Sequence, residues 1–196
     1  MKSLHNKING IYAITPNRID IAAIEQVIVK HNIGLLQYRH KAANAQTQLD
    51  ESTQLQRLCL KHHTLFIIND DINLAKKIAA DGVHLGKNDG SIQDAREQLG
   101  VDAIIGVSCY NDIELAQNAQ NQGANYVAFG ALFPSKTKPN APRCDLDTVT
   151  QARQQLSIPI VGIGGVTFDN QQQAFNAGCD SIAMISALWE ASTKSN

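Results

Sequence analysis

The sequence predicts an α/β protein with eight strands and eight helices that alternate along the chain. Eight short apolar runs typical of buried strands are separated by segments with helical periodicity. The connections are short, and alternation of this kind places parallel strands side by side in one sheet. Because eight such units close a barrel, we assign the whole chain, 1–196, to a single (β/α)8 TIM barrel domain.

The elements follow from local patterns. The predicted strands cover residues 10–15, 34–39, 65–68, 82–85, 103–107, 126–129, 158–163 and 181–185. The predicted helices cover about 20–31, 46–62, 71–79, 91–99, 112–122, 146–155 and 169–177, with a last one after 186. Glycines that favour helix C-termini follow five of them: Gly34, Gly82, Gly100, Gly123 and Gly178. A doubly wound open sheet is the alternative, but its G-x-G-x-x-G motif after the first strand is missing.

Composition excludes several classes of function. The net charge is -1, so neither nucleic acid nor an anionic membrane is an expected partner. No apolar run approaches the roughly 20 residues of a membrane-spanning helix. The four cysteines are far apart without a CxxC pair, and the N-terminus has no signal-peptide pattern, so we expect a cytoplasmic protein. The oligomeric state, including a homo-oligomer, stays open.

Two acids stand where predicted strands end. Asp70 follows the third strand, next to Asn69, and Asp89 follows the fourth. If these strands are parallel neighbours, both carboxylates lie on one rim of the barrel and could share a divalent cation. Mg²⁺ prefers a few carboxylates together with substrate phosphates, so the pair suits magnesium. The alternative is a helix N-cap at Asp70 or Asp71 and a solvated turn at Asp89.

The end of the second strand is basic. Strand side chains alternate, so Gln37, Arg39 and Lys41 should point one way, and Tyr38 and His40 the other. Two cations and an amide on one face can bind a diphosphate, because the guanidinium offers forked donors and the ammonium a point charge. The alternative is a basic strand end that simply faces water.

A second anion site is predicted near the last two strands. The seventh strand ends in the glycine-rich GIGG of residues 162–165, and the eighth runs into Ile185 and Ser186 at the start of the last helix. Backbone amides of such loops and helix starts often bind phosphate in barrels. The loop of residues 130–140 carries hydroxyls and lysines that suit a phosphate-binding lid, although an ordinary solvated loop has the same composition. These residues are Ser135, Lys136, Thr137 and Lys138.

The order of these motifs resembles that of the thiamine phosphate synthase family. The resemblance extends from about Ile11 to Leu188, nearly the whole chain. It rests on QYRHK, IIND, DGVHLGKND, GVS, FPSKTKP, VGIGGVT and MIS, in that order. It implies that the protein couples 4-amino-2-methyl-5-hydroxymethylpyrimidine diphosphate with a thiazole phosphate, releasing diphosphate, with Mg²⁺ as the cofactor.

The resemblance also implies roles for particular residues. Asp70 and Asp89 would bind magnesium. The pyrimidine diphosphate would be bound by Gln37, Arg39, Lys41, Asn69, Ser108 and Lys138. The thiazole phosphate would be bound by Ser135 and Thr137, with Gly165, Ile185 and Ser186, and Lys136 of the same loop is a further substrate-binding candidate. His40 departs from the family pattern, which more often has an acid there, but strand alternation turns it away from the other two basic residues.

The implied chemistry needs no protein nucleophile. Arg39, Lys41 and Lys138 would stabilise the departing diphosphate together with the metal, while Ser108 completes the contacts to the pyrimidine. The phosphate of the thiazole would hold the attacking nitrogen in place. His84 on the fourth strand could transfer a proton or could be structural.

Other functions remain open. A thiazole tautomerase of the same superfamily would keep the thiazole phosphate site but lack the diphosphate site. A phosphate-binding isomerase of sugars or anthranilate would use the GIGG site and would not need two metal-binding acids. A non-catalytic barrel that binds a phosphate ligand would show a degraded diphosphate site. The sequence does not decide whether the thiazole carries a carboxylate, how the protein is regulated, or what His84 does.

Overall fold

The computed structural model describes residues 8–134 and 142–193, which form a closed barrel of eight parallel strands in chain order. The strands are β1 Gly10–Ile14, β2 Leu35–Tyr38, β3 Leu65–Asn69, β4 Gly82–Leu85, β5 Ile104–Tyr110, β6 Tyr126–Phe129, β7 Ile160–Ile163 and β8 Ser181–Met184. The barrel closes through β1 and β8, where Tyr12 pairs with Ala183. The predicted (β/α)8 architecture is confirmed. The assignment of the entire chain, 1–196, to one domain stays a prediction.

One helix follows each strand. The helices are α1 Ile21–His31, α2 Ala45–His62, α3 Ile72–Lys77, α4 Ile92–Leu99, α5 Ile113–Asn121, α6 Leu146–Gln155, α7 Gln171–Asn176 and α8 Ser186–Thr193. Five helices begin at a residue whose side chain accepts a hydrogen bond from a first-turn backbone amide: Asp20, Asn44, Asp71, Ser91 and Asp112. No helix within the described ranges is both long and apolar enough to cross a membrane.

Alternating side chains build two apolar layers. Inward-facing residues such as Tyr12, Leu35 and Ile67 fill the interior of the barrel. Outward-facing residues such as Leu36 and Phe66 pack beneath the helices in a second, larger cluster. Because β-strand side chains point alternately to opposite faces, one strand contributes to both layers.

Most predicted strand ends are within one residue of the observed ones, and the two larger differences, at β7 and β5, have local reasons. β7 begins at Ile160 because Pro159 has no N–H to donate, and the Ile160 amide instead donates to Asp180 Oδ2 at 2.8 Å. β5 continues to Tyr110, past a register shift after Ser108 that breaks the regular pairing with β6. These differences leave the C-terminal ends of all eight strands on the same rim, where barrel enzymes carry their active sites.

Candidate active site

The two consecutive aspartates after β3 have different tasks. Asp71 is the N-cap of α3, and its Oδ1 accepts a hydrogen bond from the Leu74 amide at 2.8 Å. Asp70 takes no part in this cap. Its backbone has a left-handed φ of 65°, and its amide donates to the carbonyl of His84 at 2.9 Å. The structural need for an acid at the helix start is therefore met by Asp71, and the Asp70 carboxylate is available for another function.

The carboxylates of Asp70 and Asp89 converge above the loop after β4. Asp89 Oδ2 accepts a hydrogen bond from the Gly86 amide at 3.1 Å. A Cβ at Gly86 would lie 2.5 Å from Asp89 Oδ2 and 4.0 Å from Asp70 Oδ1, so the glycine leaves room for both acids. The pKa of Asp89 is raised, first by burial and then by the charge of Asp70 and a hydrogen bond to it. A cation between the two would relieve this repulsion.

Two side chains do not by themselves complete a metal centre. Among the residues that the structure describes, no group of three or more histidines, cysteines, aspartates or glutamates gathers around one point. A cation held by Asp70 and Asp89 would need further oxygen ligands from water or from a bound phosphate. Of the common protein metals, Mg²⁺ best fits two carboxylates completed in this way.

Positive charge lies beside the acid pair. Lys41, just after β2, forms an ion pair with Asp70, with 2.8 Å between Nζ and Oδ2. Arg39 is positioned through its backbone, because its amide donates to Thr15 Oγ1 at 2.9 Å at the end of β1. A cleft of about 250 Å³ opens between the ends of β2 and β3. It is lined by Tyr38, Arg39, His40, Lys41, Gln48, Ile68, Asn69, Asp70, Asp71 and Leu74.

The side chain of His40 contacts α2. Its Nδ1 lies 2.9 Å from Glu51 Oε2, and the hydroxyl of Tyr38 donates to the same oxygen at 2.6 Å. Burial, followed by the nearby Glu51, raises the pKa of Tyr38. Strand alternation therefore predicts the contact of His40 with the helix layer correctly, although His40 is also one of the residues that line the cleft.

Gln37 and Ser108 are joined through the barrel interior. The amide Nε2 of Gln37 donates to the hydroxyl of Tyr12 at 2.7 Å, and the hydroxyls of Tyr12 and Tyr126 are 2.8 Å apart. The Tyr126 hydroxyl lies 3.0 Å from His84 Nδ1, and His84 Nε2 lies 2.8 Å from Ser108 Oγ. These five side chains, from β2, β1, β6, β4 and β5, form what we call the interior chain.

The two tyrosines and the histidine of the interior chain are buried and neutral. Tyr126 is fully buried and His84 is 8% exposed. Burial lowers the pKa of His84 to about 4, against the opposing effect of the Asp70 charge. Burial also raises the pKa values of Tyr12 and Tyr126 far above the ordinary tyrosine value. None of these three groups is ionised near neutral pH.

The glycines after β7 meet the chain that follows β6. Gly164 and Gly165 have φ values of 93° and 66°, and the carbonyl of Gly164 accepts a hydrogen bond from the Phe133 amide at 2.9 Å. A Cβ at Gly165 would lie 2.4 Å from the carbonyl oxygen of Pro134 and 2.5 Å from that of Phe133. Glycine is thus required here by both conformation and space.

The start of α8 lies next to this turn, because β7 and β8 are paired neighbours. Ile185 lies between β8 and α8, and its carbonyl accepts from the Leu188 amide at 3.1 Å, while Ser186 is the first residue of α8. The structure thus brings Gly165, Ile185 and Ser186 to one side of the rim. The other predicted phosphate ligands, Ser135, Lys136, Thr137 and Lys138, lie outside the described residues.

Sequence reasoning missed two members of the interior chain, Tyr12 and Tyr126. The available signal was weak: each is a tyrosine at an inward position of its strand, where its hydroxyl needs a partner. The four cysteines are buried thiols, and burial raises the pKa of Cys59, Cys109 and Cys179 to about 12 and that of Cys144 to about 11.

Comparisons with known proteins find relatives that match nearly the whole chain. The chain is 48% identical over 187 residues to the thiamine-phosphate synthase of Methylobacillus flagellatus, covering 94% of this chain and 89% of the relative. It is also 48% identical over 189 residues to that of an Azoarcus species, covering 94% and 91%. Among solved structures, thiamine phosphate pyrophosphorylase from Pyrococcus furiosus superposes with a TM-score of 0.84 at 28% identity, covering 97% of this chain and 94% of the other.

The family description "Thiamine monophosphate synthase" matches residues 11–188, which is nearly the range over which the sequence motifs extend. The match includes the ends of all eight strands and hence the whole rim described above. The chain therefore belongs to the thiamine monophosphate synthase family.

Proposed function

We propose that this protein is a transferase that joins an aminopyrimidine diphosphate to a thiazole phosphate, giving thiamine phosphate and diphosphate. The observation that carries the proposal is the convergence of Asp70, Asp89 and Lys41 on one rim. An acid pair that needs a cation, beside a lysine and an arginine, suits a diphosphate bound through a metal.

The diphosphate end of the pyrimidine substrate would occupy the cleft between β2 and β3. Arg39 and Lys41 would bind its phosphate oxygens, with Asn69 as an amide donor and Lys138 from the loop after β6. Asp70 and Asp89 would hold magnesium, which supplies positive charge to the leaving diphosphate when it is bound. The pyrimidine ring would lie toward the barrel axis, between Gln37 and Ser108.

The thiazole phosphate would lie across the rim at β7 and β8. The backbone at Gly165, Ile185 and Ser186 would receive the phosphate, because glycine turns and helix N-termini present N–H groups to anions. Ser135, Lys136 and Thr137 would contribute further contacts. The separation of the two anion sites on the rim would place the thiazole nitrogen toward the pyrimidine between them.

The chemistry is a substitution at the carbon that carries the diphosphate. As the carbon–oxygen bond breaks, negative charge grows on the diphosphate, and Arg39, Lys41 and Lys138 would stabilise it. The electron-rich aminopyrimidine supports the electron-poor carbon until the thiazole nitrogen attacks. Holding both substrates in the correct orientation would supply much of the remaining acceleration.

The direct test is to incubate the full-length chain with the pyrimidine diphosphate and the thiazole phosphate, with and without Mg²⁺. We expect thiamine phosphate and diphosphate in equal amounts, and only with the metal. Binding of the thiazole phosphate without any product in the presence of Mg²⁺ would contradict the proposal and favour the tautomerase or non-catalytic alternatives. Parallel assays with the thiazole carboxylate phosphate would show which form is accepted.

A further inference from the structure

The interior chain allows one consistent arrangement of protons once its first donor is known. Gln37 Nε2 carries only protons and no lone pair to accept with, so the Tyr12 hydroxyl accepts from it. Tyr12 has a single proton of its own, and its remaining polar contact within the described residues is the Tyr126 hydroxyl. Tyr12 therefore donates to Tyr126.

The same assignment of protons continues to Ser108, the last member of the interior chain. Tyr126 has used its acceptor site for Tyr12, and its proton goes to His84 Nδ1 at 3.0 Å. A neutral imidazole that accepts at Nδ1 carries its proton on Nε2, which then donates to Ser108 Oγ at 2.8 Å. A doubly protonated ring would also donate from Nδ1, and the Tyr126 proton would then have no acceptor, because the Tyr12 proton already points to the Tyr126 oxygen.

We propose that the chain through Tyr12, Tyr126 and His84 runs one way, so that the serine at its end donates its hydroxyl proton to the bound pyrimidine. Ser108 is only partly buried and lies in the C-terminal half of β5. Because its oxygen accepts from the imidazole, its own proton is free to point elsewhere. An unprotonated ring nitrogen of a pyrimidine is an acceptor that suits it. The substrate assignment rests on the proposed function, whereas the direction of the chain does not.

Ring packing holds the side chains of the interior chain in place. The rings of Tyr12 and Tyr126 meet edge to face at 5.9 Å between centroids, and His84 stacks on Tyr126 at 5.6 Å. Each hydroxyl or imidazole is fixed by the packing of its own ring, so the three residues can keep their partners aligned before the substrate arrives. They are positioning residues, which act on the substrate through Ser108.

The test is the tautomer of His84, read by long-range proton–nitrogen NMR on the ¹⁵N-labelled full chain without substrate. A His84→Asn variant assigns the signals. We expect Nε2 to carry the proton and Nδ1 to behave as an unprotonated ring nitrogen. Gln37→Glu replaces the terminal donor with an acceptor, so it should reverse every bond and move the proton to Nδ1. A proton on Nδ1 in the parent protein overturns the proposal, as does the same tautomer in both proteins.

A second variant connects the chain to substrate recognition. Tyr126→Phe breaks the middle link, so it should remove the single-tautomer signature and lower kcat/KM for the pyrimidine diphosphate about tenfold, the value of one hydrogen bond. The KM of the thiazole phosphate should change less than threefold. The matched control is Thr64→Val, which removes a buried hydroxyl that donates to the Ile33 carbonyl and takes no part in the interior chain. It should change neither the tautomer signature of His84 nor kcat/KM for the pyrimidine diphosphate. Equal effects of the two variants would overturn the positioning role.

The two proposals fail separately. The NMR result on the parent protein needs no substrate, so it decides the direction of the chain even if no thiamine phosphate is formed. If the protein makes thiamine phosphate but carries the His84 proton on Nδ1, the proposed function is supported and the proposed direction of the interior chain is wrong.

Discussion

Gly106 of β5 lies directly against the ring of Tyr126 from β6: a Cβ added at the glycine would be 2.0 Å from Cζ and 2.4 Å from the hydroxyl oxygen. The missing side chain on one strand is thus the space that the buried tyrosine of its neighbour occupies. Because the tyrosine also connects Tyr12 to His84, this glycine allows the interior chain to exist.

We predict that Gly106→Ala destabilises the protein by about 1 to 3 kcal/mol, the usual cost of adding a methyl group to a packed core. The Tyr126 ring must move, so the His84–Tyr126 hydrogen bond should be lost as well. Urea unfolding measures the first effect. In a Tyr126→Ala background the same methyl group should cost little, and a cost that is unchanged in that background would show that the clash lies elsewhere.

Asp70→Asn and Asp89→Asn should each lower turnover by about a hundredfold to a thousandfold, because each removes charge from the proposed magnesium site. Thermal unfolding should change little, since the two acids repel each other in the absence of a cation. The matched control is Asp71→Asn, which keeps a good helix cap one residue away and should retain activity. Diphosphate release that continues undiminished in EDTA would contradict the metal role.

Arg39→Ala should lower the affinity for the pyrimidine diphosphate about tenfold to a hundredfold, the range for a charged hydrogen bond. The affinity for the thiazole phosphate should stay nearly the same. Arg57→Ala on the exposed face of α2 loses the same charge and should have little effect. Calorimetry with each substrate separately gives both affinities. Loss of both substrates to the same degree would show that the two anion sites are not separate.

Substitutions at Gly165 should weaken binding of the thiazole phosphate. Any side chain there meets the Phe133 and Pro134 carbonyls. Even Gly165→Ala should therefore displace the start of the loop after β6 and lower the affinity for the thiazole phosphate. The added negative charge of Gly165→Asp should weaken it further. Comparing the two variants by calorimetry separates displacement from charge, and identical affinities would exclude a charge effect at this turn.

His40 should be dispensable, because its ring contacts Glu51 on α2. We expect His40→Gln to change the affinity for the pyrimidine diphosphate less than about threefold between pH 5.5 and 8, whereas Lys41→Gln should lose much more. Glutamine is used at position 40 because it is uncharged, whereas an acidic residue there would repel Glu51. A tenfold loss in His40→Gln would show that the ring belongs to the diphosphate site.

His84 should make stability depend on pH. Its pKa is lowered to about 4 in the folded protein, so below about 6.5 the unfolded chain binds a proton that the folded one does not. The free energy of unfolding should therefore fall as the pH drops from about 6.5 toward 4, and His84→Asn should flatten the curve in that window. Parallel curves for parent and variant, from urea titrations at several pH values, would contradict the burial of a neutral imidazole.

The sequence by itself determined the barrel and placed Asp70, Asp89 and Lys41 at its rim. Apolar runs of strand length, helical periodicity and glycine stops are local signals, so all eight strands and helices could be predicted with small errors at their ends. Period-2 alternation was enough to turn His40 away from Lys41. Parallel strands end on one rim, and this alone predicts that Asp70 lies near Asp89.

Only the tertiary structure decided which inward side chains meet. Tyr12 and Tyr126 are separated by 114 positions, and Tyr126 and His84 by 42, yet their polar atoms lie within 3.0 Å. Alternation tells which residues point inward, but their heights and facing partners depend on how the strands are staggered when the barrel closes. Likewise, the choice of Asp71 over Asp70 as the helix cap depends on the left-handed backbone at Asp70, which the local sequence does not reveal.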